Sequence, residues 1–339
     1  MVTTALPPAV SGPVARPAPV PELLPPTSPA PRRGVPVPEP PADRATIPRP
    51  AAPRVGPPAP GPVVIALAVI LTASVIAAFF GVFAFGLSGL QQQRSQHQLY
   101  AQFRGLLDPS SPKAPSIGGV IAPGTPVALL SAPRAGLHDV VVAEGTSSGS
   151  LLVGPGHLAD TPLPGQPGNA VLLGKSATAG APFAGIAALR RGDVITVRTG
   201  QGYFRYTVQG RVPADGRLPA IPRTSGLLTL GTSVGSGSLG RLASDHLLYV
   251  DARLQGTAVA APHGRPTSVP TQQLPGHNDP GAWPWVGLWL LLLAAGTAAT
   301  WWLWSRWGIL QTWLVGAPVL FAILWGLSDE AMRLLPNVY

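Results

Sequence analysis

The sequence predicts an all-β domain carried on three transmembrane helices. Three observations lead there. Short runs rich in Val, Leu, Ile and Tyr alternate with Gly/Pro turns through the middle of the chain. Three uncharged apolar runs flank that region, one before it and two after it, each long enough to cross a bilayer. Only 11% of the residues are charged and the mean hydropathy is +0.28, a balance that suits a membrane-embedded chain.

The apolar runs set the topology. Residues 63–87 read VVIALAVILTASVIAAFFGVFAFGL, behind a segment, residues 1–62, that holds about half of the 43 prolines. Such a segment has too little apolar surface to offset its ordering entropy, and the expectation is a disordered cytoplasmic tail. A secretory signal would begin nearer the start and have a shorter apolar core, so 63–87 is read as a retained anchor. Residues 284–304 and 307–327 form a helical hairpin separated by Ser305 and Arg306, with Trp301, Trp302, Trp304 and Trp307 crowding the turn as interfacial tryptophans do. Arginines dot the N-terminal tail, and Arg306 marks the same side. The positive-inside rule therefore places residues 88–283 and a C-terminal tail, 328–339, outside the cytoplasm of a plasma-membrane protein.

Residues 88–119 read as a stalk helix and linker, with Leu99, Phe103 and Leu106 spaced along one helical face. Residues 257–283, rich in Pro, Gly and Thr, read as a second linker. Between them lies a domain, 120–256, with strand candidates at Val127–Leu130, Val140–Glu144, Ala170–Leu173, Val194–Thr199, Tyr203–Val208, Leu227–Thr232 and Leu247–Leu254. Arg190 to Gly210 is a hairpin with Gly200 and Gly202 at its turn.

Several chemistries are excluded. With no cysteine there is no disulfide, no thiolate metal site and no thiol nucleophile. The net charge of +9 is dispersed, with no basic stripe interleaved with aromatics, which argues against nucleic acid as a partner. His97, His138, His246, His263 and His277 have no metal-ligand pairing, and Asp139, Asp160, Asp193, Asp215 and Asp251 have no calcium-loop spacing. Gly174-Lys175-Ser176 lacks the preceding glycine of a phosphate loop. No cofactor and no metal are expected. His157 reads as a residue that packs a loop.

The middle of the chain resembles the sortase family, especially its actinobacterial class E type. The resemblance is carried by GPGH (154–157), PGQPGN (164–169), GAPF (180–183) and L-x-x-GD (189–193), then LLTLGTSVG (227–235) and HLLYVDARL (246–254). It runs from Val127 to Leu254 and implies a sortase-like closed β-barrel of about eight strands with short helices. Sortases are transpeptidases in which a cysteine attacks a sorting-signal peptide bond, a histidine moves protons and an arginine supports the oxyanion or substrate. Ser233 stands in the cysteine's place, Lys175 in the histidine's, and the arginine's place falls near His246, with Arg241 upstream. A hydroxyl lacks the ionised fraction and intrinsic nucleophilicity of a thiol and needs a base held against it, so thiol transpeptidation is closed to this chain. Two expectations remain. One is a non-catalytic module of the cell envelope that binds or scaffolds a surface peptide or protein. The other is a Ser233–Lys175 dyad acting as peptide hydrolase or transpeptidase.

Overall fold

The computed structural model describes residues 61–108, 110, 115–213, 225–235, 240 and 246–339. Most of the proline-rich segment lies outside the described residues, as does Arg241.

Eight strands close into a barrel: β1 (Pro126–Ala132), β2 (Leu137–Glu144), β3 (Gly156–His157), β4 (Gly168–Leu173), β5 (Val194–Thr199), β6 (Gly202–Pro213), β7 (Gly226–Ser233) and β8 (Leu247–Gln255). Their order around the barrel is β1-β2-β3-β4-β7-β8-β6-β5, so every strand has two neighbours and no edge is left open. Seven strands coincide with runs visible in the sequence. The eighth, β3, is two residues long and joins β2 in parallel and β4 antiparallel.

The period of two along each strand sorts the side chains. Ala170 and Leu172 of β4 and Leu228 and Leu230 of β7 point into the core with Leu130, Ile195, Val197, Tyr206 and Val250. Their alternates, Val171 and Leu173 of β4 and Gly231 and Ser233 of β7, take the outer face. β4 and β7 run parallel, with Leu173 beside Gly231, and this pairing brings the ends of both strands together. Gly165, with φ +97°, lets the PGQPGN turn pass against the Phe204 ring, where a Cβ would come within 2.3 Å, and its N–H donates to the buried Tyr206 hydroxyl at 2.6 Å.

Four long helices complete the described chain. α1 (Pro62–Val82) runs through a π-turn, Phe83–Leu87, into α2 (Ser88–Leu107), so anchor and stalk are one continuous helix. α2 does not hold the barrel at a distance: it lies along it. Leu99 and Phe103 pack on Leu129 and Val141, the outward residues of β1 and β2. Gln96 Nε2 donates to the Val141 and Val153 carbonyls (3.1 and 2.8 Å), and its Oε1 accepts from the Val141 N–H (2.8 Å). Gln96→Leu strands three backbone groups beneath the helix and is expected to lower stability by about 2 kcal/mol, read as a lowered Tm of the detergent-solubilised chain.

α3 (Trp283–Arg306) and α4 (Ile309–Arg333) form the hairpin. Close approach is allowed by small residues, with Gly316 against Thr300 and Gly326 against Trp289. Phe79 and Phe83 meet Phe321 and Trp325 edge to face, tying α1 to α4. α1, α3 and α4 are long and apolar enough to cross a membrane, and their large apolar residues, such as Leu71, Leu291, Trp301 and Leu314, stay bare in the chain alone.

Two boundaries differ from the sequence reading. α4 does not stop at Leu327 but runs to Arg333, because Ser328 and Met332 are buried and Gln91 Nε2 donates to Asp329 at 3.0 Å. The 257–283 linker is pinned to the barrel as well. The Val259 N–H donates to the Gly165 carbonyl (2.9 Å), and Arg265 reaches Glu144 (2.8 Å).

Candidate functional site

The outer face of β4, β7 and β8 forms a groove walled by Leu151, Leu158, Val171 and Leu173, with Leu247, Tyr249 and Val269 at its margins. Its floor is smooth for a local reason. Gly231 has no room for a side chain, since a Cβ there would come within 2.7 Å of the Tyr249 ring and 2.6 Å of Leu173. Gly174, just past β4, is equally constrained, because a Cβ would strike the buried Phe183 ring of GAPF at 2.5 Å.

At one end of this groove Ser176 and Ser233 meet. The Gly174 N–H donates to the Gly231 carbonyl (3.1 Å) and Thr232 Oγ1 donates to the Gly174 carbonyl (2.7 Å), so the turn after β4 is stitched to the end of β7. Ser176 Oγ and Ser233 Oγ share a hydrogen bond of 2.5 Å. The residue held directly against the Ser233 hydroxyl is thus Ser176, which the spacing had marked only as part of the Gly-Lys-Ser triplet.

Lys175 is fully buried, and its Nζ has no hydrogen-bond partner among the described residues. Burial without a compensating charge disfavours the ammonium form and lowers its pKa to about 7. Lys175 and Ser233, the two residues of the expected dyad, therefore share no hydrogen bond. His246 lies just before β8, its side chain exposed and its carbonyl accepting the Val234 N–H at 3.0 Å.

The groove is occupied by the chain itself. Val338 is completely buried among Leu151, Leu158 and Leu173, with Tyr339 beside it. The Val338 carbonyl accepts from the Ser176 N–H (3.2 Å) and from Ser233 Oγ (3.2 Å), and Thr178 Oγ1 donates to the Tyr339 carbonyl at 2.8 Å. Two donors converging on one peptide oxygen is the arrangement that polarises a carbonyl in acyl-transfer sites. The one proton of the Ser233 hydroxyl has two acceptors within reach, the Val338 carbonyl at 3.2 Å and Ser176 Oγ at 2.5 Å.

A second polar cluster lies under the linker. His157, on β3, is fully buried. Its Nδ1 lies 2.9 Å from Glu144 Oε2, and its Nε2 lies 2.9 Å from the Pro162 carbonyl. Arg265 Nη2 donates to Glu144 Oε1 at 2.8 Å and stands 3.2 Å from His157 Nδ1. His157 does pack a turn, and it does so as part of a buried ionic group. Glu144 and Arg265 are 121 residues apart, and no local pattern couples them. Among the described residues no group of three or more His, Asp or Glu is placed to hold a metal ion.

Residues 130–232 match the sortase domain family. Among solved structures, the chain is similar to sortase E from Streptomyces avermitilis, with 31% identity over 40% of this chain and 92% of that one and a TM-score of 0.33. It is similar to the SrtA sortase from Actinomyces oris, with 25% identity over 48% and 98% and a TM-score of 0.36. It is also similar to the sortase D5 transpeptidase of Clostridium perfringens, with 20% identity over 49% and 98% and a TM-score of 0.38. No curated protein sequence matches it. Over residues 130–232 the chain carries a sortase domain, and it does so without a cysteine anywhere in its sequence.

Proposed function

We propose that this is a non-catalytic member of the sortase family, a membrane-anchored module of the cell envelope that holds a peptide in its groove. The observation that carries this reading is the Ser233 hydroxyl. It stands in the cysteine's place and donates to a peptide carbonyl, while its partner Ser176 is no base. An apolar trough with one backbone N–H and two side-chain hydroxyls at one end suits a peptide segment with a buried aliphatic side chain. The barrel would face the outside of the plasma membrane, with Arg306 and the arginines of the N-terminal tail on the cytoplasmic side. A surface peptide or surface protein is the partner this placement favours, and the three helices make the membrane itself the other.

One observation favours a second reading. An amine whose pKa is lowered to about 7 is neutral often enough to serve as a base, which is what a Ser233–Lys175 dyad would require. A fluorophosphonate probe applied to the full chain in native membranes separates the two. No labelling is expected. Labelling that disappears in both Ser233→Ala and Lys175→Ala would replace the binding module with a serine enzyme. For the binding role, cross-linking in native membranes should capture a surface peptide or protein with the intact chain and lose it with Ser233→Phe, which fills the groove. Equal capture by both would reject the groove as the binding site.

A further inference from the structure

The groove holds a segment whose anchoring is built from both ends. Asn337 is fully buried and satisfied: its Nδ2 donates to the Thr146 and Leu274 carbonyls (2.7 and 2.9 Å), and its Oδ1 accepts from the Gly276 N–H (2.9 Å). Its backbone N–H donates to the His277 carbonyl at 2.9 Å. Ser148 Oγ donates to the Leu335 carbonyl at 2.9 Å. Beyond these contacts come the Val338 carbonyl on Ser176 and Ser233 and the Val338 side chain in its socket. Every polar partner here comes from a loop or strand end of the barrel or from the linker, and the segment follows α4 directly.

We propose that residues 335–339 are the resident ligand of the groove, an intramolecular peptide that must withdraw before any other peptide can enter. The inference rests on the reading of the groove as a peptide site, and it names both the kind of peptide taken and the element that controls access. The accepted ligand is a segment in a tight turn, as the Tyr339 N–H on the Pro336 carbonyl (3.3 Å) makes it here, with a buried amide side chain, then an aliphatic residue whose carbonyl meets the two serines, then an aromatic residue. Withdrawal exposes the apolar wall of Leu151, Leu158 and Leu173 together with the paired serines.

The absence of cysteine gives a clean reporter. Ser176 is buried beneath the segment, so an S176C thiol in the full, detergent-solubilised chain would be the protein's sole thiol. Its reaction with a polar maleimide should be slow, and should accelerate about tenfold or more when Val338→Asp places a carboxylate in the apolar socket. Asn337→Ala is the second variant, which removes three hydrogen bonds without adding charge, and should act in the same direction. In parallel, a fluorescein-labelled peptide of sequence LLPNVY should bind either variant about tenfold more tightly than the parent chain, because apparent affinity scales with the fraction of open sites. Unchanged protection of the S176C thiol in both variants would overturn the resident-ligand inference, whatever the peptide does. Released protection without peptide binding would leave the segment as a cover and reject the peptide-site reading beneath it.

Discussion

Replacing Lys175 with methionine is expected to raise stability at pH 7 and below by on the order of 4 kcal/mol, and to flatten its dependence on pH. The amine is completely buried and unpartnered, and burial lowers its pKa from the ordinary 10.5 to about 7. Between those two values the unfolded chain binds a proton that the folded chain does not, so stability of the parent should climb as pH rises through that window. Below about 7 the folded lysine is charged while fully buried and the penalty is complete. Methionine keeps the length of the stem and removes the charge, so little packing is lost. Unfolding measured at pH 7 and pH 9 checks this. The parent should gain roughly 2–3 kcal/mol over the variant across that interval. Parallel curves would mean that the amine stays protonated through folding, and the dyad reading would then lose its base.

Arg265→Met is expected to destabilise the chain by about 3–5 kcal/mol, the usual result of removing one partner from a buried pair. Glu144 is almost entirely buried and is served by Arg265 and His157, so the variant leaves a carboxylate with one of its two donors gone. Replacing both Arg265 and Glu144 by apolar residues should recover part of the loss, since no orphaned carboxylate then remains. Thermal unfolding of the two variants side by side tests this; equal losses would show that arginine packing, not charge pairing, holds the linker. Val269, four residues on, forms part of the groove wall, so the single variant should also loosen the margin on which Val338 rests.

The barrel was legible because seven of its strands are short apolar runs bounded by Gly/Pro turns, although only β5 and β6 alternate buried and exposed positions plainly. β3 escaped because two residues cannot display a period. Its pairing is decided by β2 and β4, the strands on either side of it in sequence. The spans were legible from length and apolarity alone, whereas the end of α4 was not, since its last turns are buried by contacts with α1, α2 and the barrel rather than by hydropathy. At the candidate site, the family resemblance pointed to Ser233 and Lys175; Ser233 is bonded to Ser176, the next residue after Lys175, whose Nζ has no hydrogen-bond partner among the described residues. Ser176 became visible only when the strand register set it against Ser233, which lies 57 residues away. The same limit hid the role of Asn337 and Val338, whose partners lie between about 60 and 190 residues away and obey no local rule.

α4 ends at Arg333, only five residues before Val338. So short a tether gives a linked peptide an effective concentration on the order of millimolar or above. A freely diffusing rival would have to match that figure to enter. A rival fixed in the same bilayer, confined to two dimensions beside the barrel, starts with a comparable advantage. Under the proposed competition for the groove, the leash would favour neighbours embedded in the membrane over peptides arriving from solution.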